Sequence, residues 1–433
     1  MRSMTEDRAG QVFDAAGFTA VLDDFLTRAV GADPGGSAGV RIDRIALLEQ
    51  IRSVVTAAQN AELVEFAREQ VAAQIAQVEA DGLDPSAVGR GVGDQIALAC
   101  RVSPHAGSRR LDVARALATD LPLTGALLAA GQISEHVAQV VVFRTNHLRG
   151  EWRRAVEKHI VDTGLVGLSP RQAEALAKRC AYEADPAGYA ARGRAARADR
   201  RVGLRPAPDT MGVLSGLVPL EQGVACLAAL RAHTDTVLAA GDDERTRDQI
   251  MADTLVERLT GQVAAADVNV EVGIVIPVDA LLDPDQGRSA EIVGHGPIPA
   301  GIARDLLAST SGKRWWRRLF TAPSGGPLVG GDPRRRRFEG FLAELIRIRD
   351  HGRCRDPFCD APIRHLDHIR PHRDGGPTSY ANGRGVCARG NYVREMPGWR
   401  VEVVEDGLGL RPHTVRTTTP TGHSYLSGAG PAP

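Results

Sequence analysis

Three cysteines fall inside one short stretch of the chain: Cys354-x4-Cys359, then Cys387 after a further 27 residues. Leu366-Asp367-His368-Ile369 and Ala381-Asn382-Gly383 lie between them, and Cys387-Ala388-Arg389-Gly390-Asn391 closes the set. Thiolates are soft ligands, and two cysteine-bearing turns bracketing a hairpin suit a tetrahedral metal clamp. An imidazole, a carboxylate and amide oxygens within about 25 residues suit another task in a compact β-β-α site. Phosphodiester cleavage needs a base to take a proton from water, and a cation to stabilise the charge that develops on phosphate. Singly, the same residues read more plainly, as buried thiols, a satisfied histidine and an asparagine cap. Their joint order inside one segment favours chemistry.

That segment is basic. From Lys313 to Arg400 there are 19 basic and 9 acidic residues, although the net charge of the 433-residue chain is zero. A basic block appended to an acidic body is the charge pattern of a nucleic-acid-facing domain; a solvated basic face is the alternative. Arg334, Arg335, Arg336 and Arg337 are expected to open a helix running to about Asp350. Arginine at a helix N-terminus opposes the macrodipole, at about 0.3–1 kcal/mol per exposed charge. A phosphate backbone would reward that placement, and so would acidic partners on the protein's own body.

The elements that must hold this segment are mainly helical. Residues 41–81 contain no Gly or Pro, and Ile42, Ile45, Leu48, Ile51 and Val55 form one seam, predicting a long helix. Homodimerisation through helix 41–81 is one expectation, intramolecular packing the other. Short helices are predicted over 112–118, 123–130, 134–143, 151–162 and 169–182, with Ser169-Pro170 as cap and first position. Leu127 to Val142 resembles a helix-turn-helix only superficially, because its second helix is apolar and nearly uncharged. Beyond residue 201 the pattern mixes a hairpin (202–205 with 211–218), helices over 220–239 and 243–259, a strand over 268–276, a helix over 299–308 and a second hairpin around Ser324-Gly325-Gly326.

Several classes are excluded by absence of pattern. Hydrophobic residues at 43% and charged residues at 24% describe a globular chain rather than a disordered one. No run of 18 apolar residues occurs, so no membrane partner is expected. The first ten residues carry Glu6 and Asp7 and no apolar core, so the cytoplasm is the expected location. A phosphate loop is also missing: Gly312-Lys313 has Leu307 where its first glycine should stand and Arg314 where Ser or Thr should follow.

The Cys, Asp-His, Asn and Cys-x3-Asn pieces together resemble an HNH endonuclease domain, the ββα-metal or His-Me finger fold. The stretch LLEQIRSVVTAAQNAELVEFAREQ, the GQIS turn and the tail from Pro397-Gly398-Trp399 through HTVRTTTPTGHSY extend the likeness. Along most of its length the chain resembles actinobacterial HNH proteins with a helical N-terminal domain of unknown function, sometimes called a mycobacterial repeat family. The resemblance implies a mostly α chain with a mixed α/β middle and a small C-terminal ββα-metal domain. The expected parts are an extension and linker (1–40), a helical domain (41–200), a mixed segment (201–332), a nuclease-like domain (333–412) and a tail (413–433).

It further implies a metal-dependent endonuclease acting on DNA, or else a degenerate module that binds nucleic acid without cutting. His368 would be the general base, and Asn382 would hold the loop and orient it. Asp367 and Asn391 would ligate a divalent cation, Mg²⁺ or Mn²⁺. Arg334 to Arg337, Arg370, Arg373 and Arg394 would contact the nucleic-acid backbone, which positions without reading sequence. Cys354, Cys359 and Cys387 would bind a structural zinc. The family's fourth zinc ligand is missing, because Gly390 stands in its place. Zinc is therefore expected to be weak, completed by water or by one of His351, His365, His372 and His413.

Overall fold

The computed structural model describes residues 37–81, 85–241, 243–261, 274–276, 289–292, 296–309, 337–408 and 411–429. These residues are mostly helical, with small antiparallel sheets. The chain divides into two compact units, Met1–Val64 with Val113–Asp185, and Glu65–Asp112 with Pro186–Pro433. Among the described residues no helix is long and apolar enough to cross a membrane.

The seam over 41–81 is one helix, α1 (Ala38–Asp81). Ile42, Ile45 and Val55 on that seam are exposed. Helices α2 (Val92–Ala99), α3 (Pro104–Thr119), α4 (Pro122–Ala129), α5 (Glu135–Thr145), α6 (Gly150–Gly164), α7 (Pro170–Ala184) and α8 (Pro186–Ala195) follow. Within the first unit, α4 to α7 close around a core that includes Leu121, Leu128, Val141, Ile160 and Ala177. Val137, Ala138, Val141 and Val142 of α5 are buried, so this helix is a core element, as its apolar sequence predicts. Ser169 caps α7 in a reciprocal box with Gln172, and Pro170 occupies the first turn.

The second unit carries the sheets. Strands β1 (Arg201–Pro206) and β2 (Gly212–Leu217) form the expected hairpin, with Arg201 opposite Leu217. Helices α9 (Leu220–Ala240) and α10 (Arg247–Thr260) come next, the latter starting four residues later than predicted because Thr246 and Gln249 form a capping box there. Of the strand expected over 268–276, β3 (Ile274–Val275) is described and pairs with β4 (Ser289–Ile292), which pairs with β5 (Gly296–Pro299) before α11 (Ala300–Ser309). The second expected hairpin, Gly312-Lys313 and Arg334 to Arg336 lie outside the described residues.

The C-terminal region begins with α12 (Gly340–Arg349), which starts after the arginine run rather than within it. Arg337 is exposed and non-helical, and Glu339 is extended at the N-cap. Phe338 packs instead on the ring of His368, at 4.5 Å between centroids. After α12 come β6 (His365–His368), β7 (Gly383–Val386) and α13 (Ala388–Val393). Strands β8 (Arg400–Glu405), β9 (Thr414–Thr418) and β10 (Ser424–Gly428) form a sheet with β9 in the centre. Two of its strands thus come from the segment read as a tail.

Candidate functional site

The site is built on a buried ion network. Asp350, at the end of α12, accepts from Arg349 Nε at 2.8 Å and from the Gly385 amide of β7 at 2.7 Å. Arg349 donates onward to the carbonyls of Tyr380 and Gly383, both at 2.7 Å, and its guanidinium lies over the Tyr380 ring. Arg355 donates to the carbonyls of His413 and Ser427, tying the turn after α12 to the final sheet. Buried charges persist only when paired and hydrogen-bonded, and here they fix α12, β7 and the C-terminal strands against one another. Leu342, Leu345, Ile346 and Tyr380 form the apolar floor.

Residues 354–359 fold back as a tight turn. Cys354 N donates to Ala361 O, Cys359 N donates to Asp356 O, and Phe358 takes a left-handed conformation at φ 60°. The second sulfur-bearing turn is the start of α13, where Cys387 is the N-cap and accepts from the Gly390 amide at 3.2 Å. The sulfurs of Cys354, Cys359 and Cys387 lie within 4.8 Å of one another and could hold a metal ion. Cys359 and Cys387 are 4.0 Å apart. Hydrogen bonds from the neighbouring thiols, joined by the Gly390 and Arg389 amides, draw the Cys387 thiol far below its usual pKa. Those same thiol contacts, with burial, push Cys354 far above its own. Three sulfurs converging at a helix start suit a soft cation.

His368 closes β6, half-buried, with Nε2 in a hydrogen bond to the buried Thr378 hydroxyl at 2.9 Å. The ring of His372 stands edge-on to it at 5.6 Å. Asn382 ties the intervening loop shut. Its Oδ1 accepts from Arg370 N at 2.8 Å, and its Nδ2 donates to the carbonyls of Pro377 and Arg370 at 2.8 and 3.0 Å. Gly376 makes this closure feasible, since a β-carbon there would sit 1.9 Å from Arg370 O. Asn391 lies half-buried on α13, which packs against β6 and β7.

The Asp367 carboxylate is engaged from two sides. Arg394 donates to it, and to the carbonyls of His368 and Ile369, while Arg384 Nε lies 3.7 Å away. Arg394 is almost wholly buried, so its guanidinium is turned inward rather than toward solvent. Arg370 and Arg373 are exposed; the first donates to Asp374 O and the second pairs with Glu395 at 3.2 Å.

None of the four histidines considered as a fourth zinc ligand joins the sulfurs. His351 pairs with Glu291, His365 is exposed at the start of β6, His372 adjoins His368, and His413 donates to Ala381 O. Two residues stand at the cluster that sequence reasoning passed over. Asp356 lies in the first turn and accepts from the Cys354 thiol at 3.6 Å, and wholly buried Arg384 donates to its other oxygen at 2.7 Å. Asp356 was findable, being an acidic residue between two cysteines. Arg384 was not, since only the closed fold buries it.

Fold and site together define a helical protein with a cysteine-clustered, antiparallel C-terminal region. The family model described as "Domain of unknown function (DUF222)" matches residues 52–350, and the chain belongs to that family. The match ends just before Cys354, so the sulfurs, His368 and Asn382 lie beyond it. Nothing matches among the curated proteins or the solved structures.

Proposed function

We propose that residues 333–412 form an HNH-type, ββα-metal endonuclease site that cuts DNA, positioned by the C-terminal sheet. The observation that carries this reading is the β6–loop–β7–α13 arrangement. It sets Asp367 and His368 at one strand end, Asn382 as the clasp of the loop and Asn391 on the following helix. The hydrogen bond between His368 Nε2 and the Thr378 hydroxyl fixes the plane of the imidazole that would take the proton from water. Asn382 keeps Arg370 and Pro377 in place and so fixes the approach to that ring. Asp367 and Asn391 offer the hard oxygens that suit Mg²⁺ or Mn²⁺, which when bound would stabilise charge on the phosphate. The three sulfurs suit zinc.

The test is plasmid nicking by the full chain with and without Mg²⁺ or Mn²⁺, beside His368→Ala. Cleavage by the parent, metal-dependent and lost in the variant, is the expected result; equal activity in both defeats the assignment. One observation favours a second reading, a module that binds nucleic acid without cutting. Arg394 and Arg384 already place positive charge at Asp367, where the cation would sit. Salt-dependent DNA binding with no cleavage under any divalent cation would select it.

A further inference from the structure

At Gly390, where the resemblance leads one to look for a fourth zinc ligand, the space is already filled. A β-carbon built on Gly390 would lie 1.8 Å from Asp356 Oδ2 and 3.6 Å from Cys354 Sγ. No side chain can share that position with the carboxylate, so glycine at 390 and aspartate at 356 are two halves of one arrangement.

We infer that Asp356 is the fourth ligand of a Cys354–Cys359–Cys387–Asp356 zinc site, and that Gly390 is the vacancy that admits it. Sulfurs bound to one tetrahedral zinc at ~2.3 Å stand ~3.8 Å apart. The 4.0 Å between Cys359 and Cys387 and the common limit of 4.8 Å for all three are close to that spacing. Asp356 Oδ2 lies 3.6 Å from Cys354 Sγ, and a short shift of the carboxylate toward the other two sulfurs would complete the tetrahedron. Its Oδ1 is held by Arg384, so the carboxylate cannot swing away from the sulfurs without breaking a buried ion pair. Orientation of a ligating carboxylate by a partner of this kind is a recurrent feature of metal sites. Charge points the same way: three thiolates and a carboxylate around Zn²⁺ carry a net −2, and wholly buried Arg384 offsets part of it. The site extends the metal centre of the proposed domain, but it rests on the sulfur cluster and not on cleavage.

The experiment measures zinc by elemental analysis in the purified full chain after dialysis against a mild chelator. The parent should retain about one zinc per chain, as four-ligand structural sites do. Asp356→Asn keeps the shape and an acceptor for Arg384, and should retain zinc at least about tenfold less tightly. Gly390→Cys alone should also lose zinc, because its side chain collides with Asp356. Asp356→Gly combined with Gly390→Cys clears the collision and supplies a fourth thiolate, so zinc should return. Cobalt substitution reads the ligand set directly: the thiolate-to-cobalt band of the parent should be about three quarters as strong as that of the double variant. A parent without zinc, an Asp356→Asn protein that holds it as tightly as the parent, or a double variant that stays metal-free each overturns the inference. His368→Ala should leave every one of these readings unchanged, so failure of the zinc site and failure of the nuclease reading are told apart.

Discussion

His413 is buried beside Arg349 and Arg355, and its imidazole donates to Ala381 O at 2.9 Å. Burial, then the Arg349 charge, lowers its pKa from 6.5 to about 4. The unfolded chain therefore binds a proton that the folded chain refuses between those values. Stability contributed by neutral His413 is full above about pH 6.5 and falls as pH drops toward 4, by about 3 kcal/mol in all. His413→Gln can keep the donor and cannot charge. Urea midpoints measured from pH 7 to pH 4 should fall less steeply in that variant; parallel curves would assign the acid sensitivity elsewhere. Residue types and spacing single out Asp367, His368, Asn382 and Asn391 as candidates, and the three cysteines they single out do converge. What they could not give was the pairing of Asp356 with Arg384, or the inward turn of Arg394, because burial of an arginine is decided by the closed fold and not by its neighbours in sequence.

Among elements, those with local signals were readable. Ser169-Pro170 announced α7, and Ser169 is its N-cap with Pro170 in the first turn. Ser169→Ala should destabilise the first unit by about 1 kcal/mol, read as a lower urea midpoint for the helical transition. A contact with no local signal holds α13 in place. Arg389 makes two hydrogen bonds of 2.7 Å to the Asp94 carboxylate of α2, and a third to Ser108. Asp94 is nearly buried while Arg389 is about one-third exposed, so Arg389→Ala should cost about 2 kcal/mol, discounted for screening. The combined variant Asp94→Asn with Arg389→Gln should recover part of it in thermal melts. Additive losses would mean that the pair is not coupled. Separations of 295 residues leave no mark in periodicity or capping.

On the scale of the molecule, the basic stretch 313–400 is set against an acidic remainder. Under the proposed DNA-binding role, replacing Arg334 to Arg337 with alanine should weaken binding across all sequences and flatten its salt dependence, each lost phosphate contact removing about 0.9 from the slope. An unchanged slope would assign these arginines to acidic partners on the protein itself. The DUF222 match covers most of the helical body and stops short of the sulfurs, so family membership and candidate chemistry occupy different stretches of the chain. The C-terminal strands join the latter. Buried Arg355, one residue after the first cysteine, depends on the carbonyls of His413 and Ser427 as acceptors. In genetic terms, a frameshift or stop codon anywhere between codons 414 and 427 leaves every candidate catalytic and metal-binding residue encoded, yet withdraws Ser427 O, one of the two acceptors that hold Arg355 beside the first cysteine. Such late truncations should score as complete losses in any selection for this region's activity, alongside point mutations at the sulfurs themselves.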